Sequence, residues 1–181
     1  MTTSLTGHSG PWSEDDFLAL NSGVNRIEVI GGSLLVTSWP EAPQGTAPAL
    51  LTATTTEAAR DAGLLAWANV PVRLLPDTIV VPHVVVADTR PTGEVVDASE
   101  VVLLGEVISP GSAALARVLK AHLYAAARIG WYLTAELEPL AVRLRRLQGE
   151  RYFEHAVAHE GQTLTSSFPF PFTCAAVGPL A

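Results

Sequence analysis

The feature that most constrains this chain is an apolar run at residues 101–108, VVLLGEVI, with one carboxylate, Glu106, inside it. Continuous Val, Ile and Leu residues are typical of a strand that is buried on both faces. An ionised carboxylate is costly to bury without a partner, so Glu106 is expected to have a cation, a metal or a proton beside it. The run therefore predicts a buried strand with an ionic centre.

A helix is predicted directly after this strand, over about residues 113–128. Ser109, Pro110 and Gly111 break the strand, and Ser112 can cap the helix that follows. A lysine and a tyrosine four residues apart on this helix share one stripe of its surface. A buried strand acid followed by a helix that presents a lysine fits a catalytic site, and it also fits plain core architecture.

Local signals define the elements before this strand. Ser13 stands three residues before Asp16, ahead of an apolar stretch, which is the signature of a capping box and a short first helix. The Gly-Gly pair at residues 31–32 predicts a tight turn between two strands within residues 26–39. A Pro- and Gly-rich loop is expected at residues 40–48, followed by a helix at 49–62. Residues 64–75 are expected to be extended, with a break near 69–71. Residues 79–87 are expected to form one apolar strand, in which Pro82 indicates an edge strand or a bulge.

After the central helix the pattern predicts only strands. One begins at residues 131–133, and a hairpin joins residues 141–147 to residues 151–158. The tail at residues 168–172, FPFPF, is an extended apolar segment that is expected to pack on the body. This order indicates a single domain of the α/β (α+β) class, with a mixed central β-sheet flanked by helices.

Length and composition support that organisation. The chain has 181 residues, which fits one domain; residues 1–10 are polar and expected to be flexible, and residues 11–181 form the domain. Apolar runs are too short to span a membrane, and the first residues do not resemble a secretory signal. A single cysteine, Cys174, excludes an internal disulfide and fits a cytoplasmic protein.

The charge balance bears on partners. The formal net charge is −7, with 11 basic residues against 18 acidic ones, and this balance disfavours DNA as a partner without excluding it. One cluster of arginines could still supply a local binding face: Arg143, Arg145, Arg146 and Arg151. The favoured interpretation is that these arginines lie on a strand face that is exposed to solvent. No membrane partner is expected, and a homodimer formed through the apolar tail or an edge strand is the default.

In their order along the chain, these pieces resemble the Uma-type family of putative restriction endonucleases, a branch of the PD-(D/E)XK nuclease superfamily. The resemblance covers nearly the whole chain and is carried by IEVIGGSLLVTSWP, IVVPHVVVAD, GEVISPGS, a K-x-x-x-Y pair and the following WY. It implies a restriction-endonuclease-like fold and metal-dependent phosphodiester hydrolysis. In such a reaction a divalent cation offsets charge on the phosphate and activates water.

The resemblance also assigns roles to individual residues. Glu106 matches the carboxylate that holds the metal, and Ser109 lies in the same E-V-x-S-P element. Lys120 matches the helix lysine, which would orient the attacking water or stabilise the transition state. Tyr124 matches the tyrosine that follows, and Glu28 matches an early glutamate that would be an outer ligand or a support.

Four positions depart from the family pattern. His83 stands at the place of the metal-binding aspartate, and Ala116 stands at the place of a helix aspartate. Gly31 replaces an aspartate of the early hairpin, and Ala135 stands near another acidic position. A neutral imidazole suits Zn²⁺ or Mn²⁺ better than Mg²⁺. The implied metal ligands are therefore Glu106 and His83, with Mg²⁺ or Mn²⁺ expected, or Zn²⁺ if His83 is a ligand.

Three functions stay open. The first is a metal-dependent endonuclease with an altered site that is weak or inactive; the second is a non-cleaving binding or scaffold protein. The third is a nuclease fold recruited to other chemistry in specialised metabolism. Structural alternatives exist for each residue, since Glu106 can simply pair with Lys120 or an arginine, and His83 can be a core histidine. A metal site at His155 and His159 is disfavoured, because both fall in a predicted strand and turn. The catalytic hypothesis requires Glu106, His83 and Lys120 to converge on one water-accessible hollow.

Overall fold

A computed structural model of the chain describes residues 8–20, 25–38, 42–90, 93–110 and 115–176. Its longer helices are α1 (Glu14–Ala19), α2 (Ala42–Asp61) and α3, in which a π-helical segment (Leu115–Lys120) continues into an α-helix (Ala121–Ala126). Its strands are β1 (Asn25–Ile30), β2 (Ser33–Ser38), β3 (Leu65–Ala68), β4 (Val72–Leu75), β5 (Thr78–Val80), β6 (Val84–Ala87), β7 (Val96–Asp97), β8 (Val101–Ile108), β9 (Trp131–Leu137), β10 (Leu140–Gln148), β11 (Arg151–His159), β12 (Thr163–Ser166) and β13 (Phe172–Ala175). A short 3₁₀ helix (Ala98–Glu100) precedes β8.

The strands form two larger sheets and a separate hairpin. One sheet has the order β2-β1-β5-β4-β7 and the other the order β11-β10-β9-β8-β6-β3, while β12 pairs with β13. Both larger sheets are mixed, because β4 runs parallel to β7 and β8 runs parallel to β9. The predicted single α+β domain with mixed sheet and flanking helices is confirmed. The expected single central sheet is wrong, since the strands divide between two.

The division occurs at residues 81–83. The apolar run at residues 79–87 was expected to be one strand, but β5 ends at Val80 in the first sheet and β6 begins at Val84 in the second. Pro82 has no N–H to donate to a ladder, so the pairing stops there and the chain crosses between sheets. The prediction of an edge strand or bulge is thus corrected, and His83 lies in the crossing rather than in a strand.

The capping box and the first hairpin are confirmed. Ser13 Oγ accepts a hydrogen bond from the Asp16 N–H at 3.2 Å, and the Asp16 carboxylate accepts one from the Ser13 N–H at 3.0 Å. Gly31 and Gly32 both have positive φ, at 56° and 72°, as a tight turn between β1 and β2 requires. The break between β3 and β4 and the hairpin of β10 and β11 also match the sequence-based expectation.

Two helices differ from their predicted bounds. Helix α2 begins at Ala42, before Pro48, so the expected loop is wrong from residue 42 onwards. A proline usually stops a helix from extending towards its N-terminus, but the packing of α2 against the second sheet carries the helix across Pro48. Helix α3 ends at Ala126, where Arg128 takes a left-handed conformation with φ of 62°. The predicted Ser112 cap lies outside the described residues.

The core has two parts, one on each face of the second sheet. On one face, β8 and its neighbours pack against α2 and the tail, where Phe170 and Phe172 are buried as predicted. On the other face, alternate β8 residues such as Leu104 pack with α3 and the first sheet. Because side chains alternate along a strand, Glu106 lies on this second face, between both sheets and α3. Within the described residues, no helix is long and apolar enough to cross a membrane.

Candidate functional site

Six polar side chains meet where β1, the crossing, β8 and α3 come together. All are buried, with exposed fractions between 0 and 8%. We refer to this group as the ion cluster; its members are Arg26, Glu28, His83, Glu106, Lys120 and Tyr124. The predicted convergence of Glu106, His83 and Lys120 is therefore present in the structure. Among the residues that the structure describes, the predicted water-accessible hollow is absent, because Glu106, His83 and Lys120 are 1, 6 and 2% exposed.

Glu106 is at the centre of the ion cluster. Its Oε1 accepts hydrogen bonds from Lys120 Nζ at 2.8 Å and from the Tyr124 hydroxyl at 2.7 Å. Its Oε2 lies 2.5 Å from His83 Nδ1, and Arg26 Nη2 lies 3.3 Å from both oxygens. Both carboxylate oxygens are therefore engaged within the protein.

Lys120 lies between two carboxylates. Its Nζ is 2.8 Å from Glu28 Oε1 and 2.8 Å from Glu106 Oε1. Glu28 Oε1 also accepts a hydrogen bond from the Val81 N–H at 2.7 Å, which ties the crossing to β1. Lys120 is the only lysine of the chain. Its ammonium group lies between the two carboxylates, at the position that a metal ion bound by both acids would take.

The contacts of His83 define its tautomer. The Val107 N–H lies 3.3 Å from Nδ1, which would suit an unprotonated nitrogen, but the Glu106 oxygen is much closer. An unprotonated Nδ1 would place its lone pair against that oxygen, so the shorter contact decides that Nδ1 donates to Glu106. Nε2 then accepts from Arg26 Nη1, at 3.5 Å. His83 is thus a neutral donor to the acid.

Arg26 is the member of the ion cluster that sequence reasoning missed. Its Nη2 donates to the Val81 carbonyl and lies 3.6 Å from Glu28 Oε1 and 3.3 Å from Glu106. A signal was available, because Arg26 precedes Glu28 by two residues and residues at i and i+2 of a strand share a face. A second missed feature is Glu136, a buried acid of β9 on the same sheet face.

The charges of the ion cluster balance. Arg26 and Lys120 contribute two positive charges, Glu28 and Glu106 contribute two negative charges, and His83 is neutral. Burial alone raises the pKa of Glu106, but the charges of Lys120 and Arg26, together with the hydrogen bond from His83, outweigh it and hold that pKa well below its ordinary value. Burial and the adjacent Glu106 raise the pKa of Tyr124 well above its ordinary value, so its hydroxyl remains a donor.

The described residues do not fit a divalent cation as they are arranged. Mg²⁺ requires several oxygen ligands, yet both Glu106 oxygens and Glu28 Oε1 already accept hydrogen bonds. The cluster also has no excess negative charge to attract a dication. No group of three or more His, Cys, Asp or Glu side chains in the described part of the chain could hold a metal. The metal roles of Glu106 and His83 stay predictions, and this arrangement does not favour them.

Two of the four clustered arginines form ion pairs within the protein. Arg143 pairs with Glu136 at 3.3 Å and with Glu154 at 2.5 Å. Arg145 donates to Thr134 at 2.8 Å and lies 3.3 Å from Glu136, and Arg146 stacks over a tryptophan ring. Arg143 and Arg145 therefore form a network of ion pairs on one face of β10, whereas Arg146 and Arg151 are exposed.

The remaining sequence candidates are placed apart from one another. Ser109 follows the end of β8 and is half-buried. His155 and His159 both lie in β11, where four strand residues span about 13 Å, too far for one metal. The His155 ring instead contacts Trp131 at 5.0 Å and Phe168 at 6.1 Å, between centroids.

Two mixed sheets flanked by helices, with a glutamate, a lysine and a second glutamate joined at the centre, define a protein of the restriction-endonuclease-like class. A sequence profile of Uma2, described as a putative restriction endonuclease, matches residues 14–177, and the chain belongs to this family. Among solved structures, the chain is similar to a putative nuclease belonging to DUF820 from Anabaena variabilis ATCC 29413. The TM-score is 0.59 at 16% identity, over 76% of this chain and 81% of the other. No curated protein matches the sequence.

Proposed function

We propose that this chain is a non-cleaving member of the nuclease family that acts by binding, and that the residues of the catalytic position serve as a structural ion cluster. One observation carries the proposal. The Lys120 ammonium is buried 2.8 Å from both Glu28 and Glu106, so the groups required for hydrolysis neutralise one another.

Phosphodiester hydrolysis needs three things that this arrangement does not offer. Water and a phosphate must reach the acid and the lysine, but both side chains are sealed from solvent. The lysine must direct positive charge at the transition state, whereas here two carboxylates take up that charge. The position of the metal-binding aspartate must supply an oxygen, whereas His83 donates a proton to Glu106.

The ion cluster has a structural role that accounts for the residues being present. Glu28 belongs to the first sheet, Glu106 to the second and Lys120 to α3, so one network joins three parts of the fold. Removing one partner of a buried ion pair typically costs about 3–5 kcal/mol, because the other charge is left uncompensated. We therefore expect Lys120→Met to destabilise the whole domain.

A cleavage assay tests the proposal. The full chain is incubated with supercoiled plasmid and with Mg²⁺, Mn²⁺ or Zn²⁺ in turn, and nicking is compared with that of a Glu106→Gln variant. We expect the parent protein to show no more metal-dependent nicking than the Glu106→Gln variant. Amine labelling of the same samples, read by mass spectrometry, should leave Lys120 unmodified until the protein is denatured, which confirms that the closed cluster was assayed. Nicking that needs a metal and disappears in Glu106→Gln would refute the proposal.

A weak metal-dependent endonuclease is the second candidate, and one observation favours it. Glu28, Glu106 and Lys120, which match the family's functional positions, lie within a single hydrogen-bonded network. An opening of α3 would expose all three together. The same assay separates the candidates, because only this one predicts nicking.

A further inference from the structure

A cleft lies next to the ion cluster and shares one side chain with it. Its volume is about 260 Å³, and it is bounded by α1, β1 and the link between β3 and β4. Six of the ten residues that line the cleft are apolar, among them Phe17 and Leu18, and four are polar: Asn25, Arg26, Asn69 and Glu94. Apolar walls with a few polar groups are the usual composition of a small-molecule site.

Arg26 has one donor without a partner. Its Nη1 faces His83 and its Nη2 donates to the Val81 carbonyl, but its buried Nε has no hydrogen-bond partner within the described parts of the chain. Leaving a buried donor unsatisfied is costly, and native structures rarely do so without a reason. Arg26 also lines the cleft, so an acceptor that binds there would lie close to the side chain that carries this donor.

The charge of the surroundings selects the kind of acceptor. The positive charge of Arg26 is already balanced by Glu28 and Glu106, so a bound anion would leave the buried cluster with a net negative charge. Glu94 lines the same cleft and adds further repulsion for an anion. A neutral carbonyl oxygen accepts the hydrogen bond without either penalty.

We propose that this cleft binds a small, uncharged molecule with an apolar body and one carbonyl group, whose oxygen accepts a hydrogen bond from Arg26 Nε. The inference rests on the proposed binding function, since it names the class of ligand. At about 260 Å³ the cleft lies just below the usual range of about 300–1,000 Å³ for drug-sized ligands, so the ligand is of fragment size. Because Nε is buried, binding would require the side chains between it and the cleft to move aside.

Proton–nitrogen NMR of the arginine side chains in the full-length, isotope-labelled protein tests this inference directly. The Arg26 Nε–H resonance is assigned by through-bond correlation, and the probe is benzamide. We expect benzamide to shift this resonance. Toluene, which lacks the carbonyl, should bind at least about tenfold more weakly, because it loses one hydrogen bond from a charged donor. Benzoate should also bind more weakly than benzamide, because it brings a charge.

Two matched tryptophan variants locate the site. Leu18 lies in α1 at the cleft and is 39% exposed, so Leu18→Trp can fill the cleft without disturbing the core. Leu75 is 42% exposed and does not line the cleft, so Leu75→Trp is the control. We expect Leu18→Trp to weaken benzamide binding by about tenfold or more, and Leu75→Trp to leave it unchanged.

Each contrary outcome has a definite meaning. An Arg26 Nε–H resonance that does not move up to the solubility limit of benzamide overturns the inference. Tighter binding of benzoate overturns the uncharged class, and equal weakening by the two tryptophan variants overturns the location. The plasmid assay reports separately on cleavage, so nicking with an intact benzamide response refutes only the proposed function.

Discussion

At the scale of single residues, the replacement of an acid by His83 changes the electrostatics of the whole centre. An aspartate at this position would add a third carboxylate to a group that holds two cations, giving a net charge of −1. His83 instead is neutral and donates its Nδ1 proton to Glu106, at 2.5 Å. The neutral cluster can therefore remain buried, whereas a charged one would draw in a cation or water.

The stability of His83→Asp is therefore expected to depend on metal. Without metal, the variant should be less stable than the parent by about 3–5 kcal/mol, because it buries an uncompensated carboxylate and removes a donor from Glu106. Mg²⁺ or Mn²⁺ should restore part of that stability, and thermal unfolding with and without metal measures it.

His159→Asp is the matched control, since His159 is exposed and lies in β11, three strands away from β8 in the same sheet. It should show no response to either metal. If metal stabilised the parent protein as strongly as it stabilises His83→Asp, the ion cluster of the parent would not be closed to metal.

At the scale of elements, the position of β8 depends on a glycine. Gly105 lies opposite Val84 of β6, and a Cβ placed there would meet the Val84 Cβ at 3.0 Å and Leu51 of α2 at 3.6 Å. Val84 and Leu51 are 0 and 2% exposed, so neither has room to move. The absence of a side chain at Gly105 thus lets β6, β8 and α2 approach closely and holds the neighbouring Glu106 in register.

A pair of glycine substitutions tests this dependence. Gly105→Ala is expected to cost about 1–3 kcal/mol of unfolding free energy through overpacking. Gly130→Ala, where an added Cβ meets nothing within 4 Å, should stay within about 0.5 kcal/mol of the parent. Urea unfolding measures both variants, and a Gly105→Ala protein as stable as the Gly130→Ala protein would show that β6 and α2 are free to adjust.

At the scale of the whole molecule, the ion cluster joins the two sheets and makes their stability depend on pH. The pKa of Glu106 is depressed in the folded protein, so its contribution is fully present above the unfolded value, about 4.3. That contribution is lost as the pH falls through the folded pKa. Acid should therefore separate the two sheets by protonating Glu106.

We accordingly expect the unfolding free energy of the parent to fall steeply from about pH 5 downwards. Glu106→Gln should be less stable at pH 7 and show a shallower dependence on pH, as measured by urea unfolding at a series of pH values. Glu160→Gln is the control, because the Glu160 carboxylate is exposed at the turn between β11 and β12. Parallel curves for the parent and Glu106→Gln would exclude Glu106 as the source.

Partners of the whole molecule follow from its surface. Phe170 and Phe172 of the tail are buried in the chain's own core, and Phe168 remains 58% exposed beside Trp131. The homodimer expected through the tail or an edge strand, the disfavoured contact with DNA and the cytoplasmic location stay predictions.

Much of the local structure was predictable from sequence because its causes are local. The capping box at Ser13, the glycine turn between β1 and β2 and the buried strand at Glu106 each depend on residues a few positions apart. The stripe that places Lys120 and Tyr124 on one side of α3 depends only on helical spacing. The need of Glu106 for a partner followed from the cost of burying its charge.

Only the tertiary structure decided which partner Glu106 has and whether the centre is open. Arg26 and Glu106 are 80 residues apart in sequence. Their contact depends on how the first sheet, which contains β1, packs against the second sheet, which contains β8. The chain passes from one sheet to the other at residues 81–83. No periodicity or turn signal acts over such a separation, since strand pairing is selected by the packing of the complete core. The sequence by itself determined the residue types of the centre, and long-range packing determined that they neutralise one another.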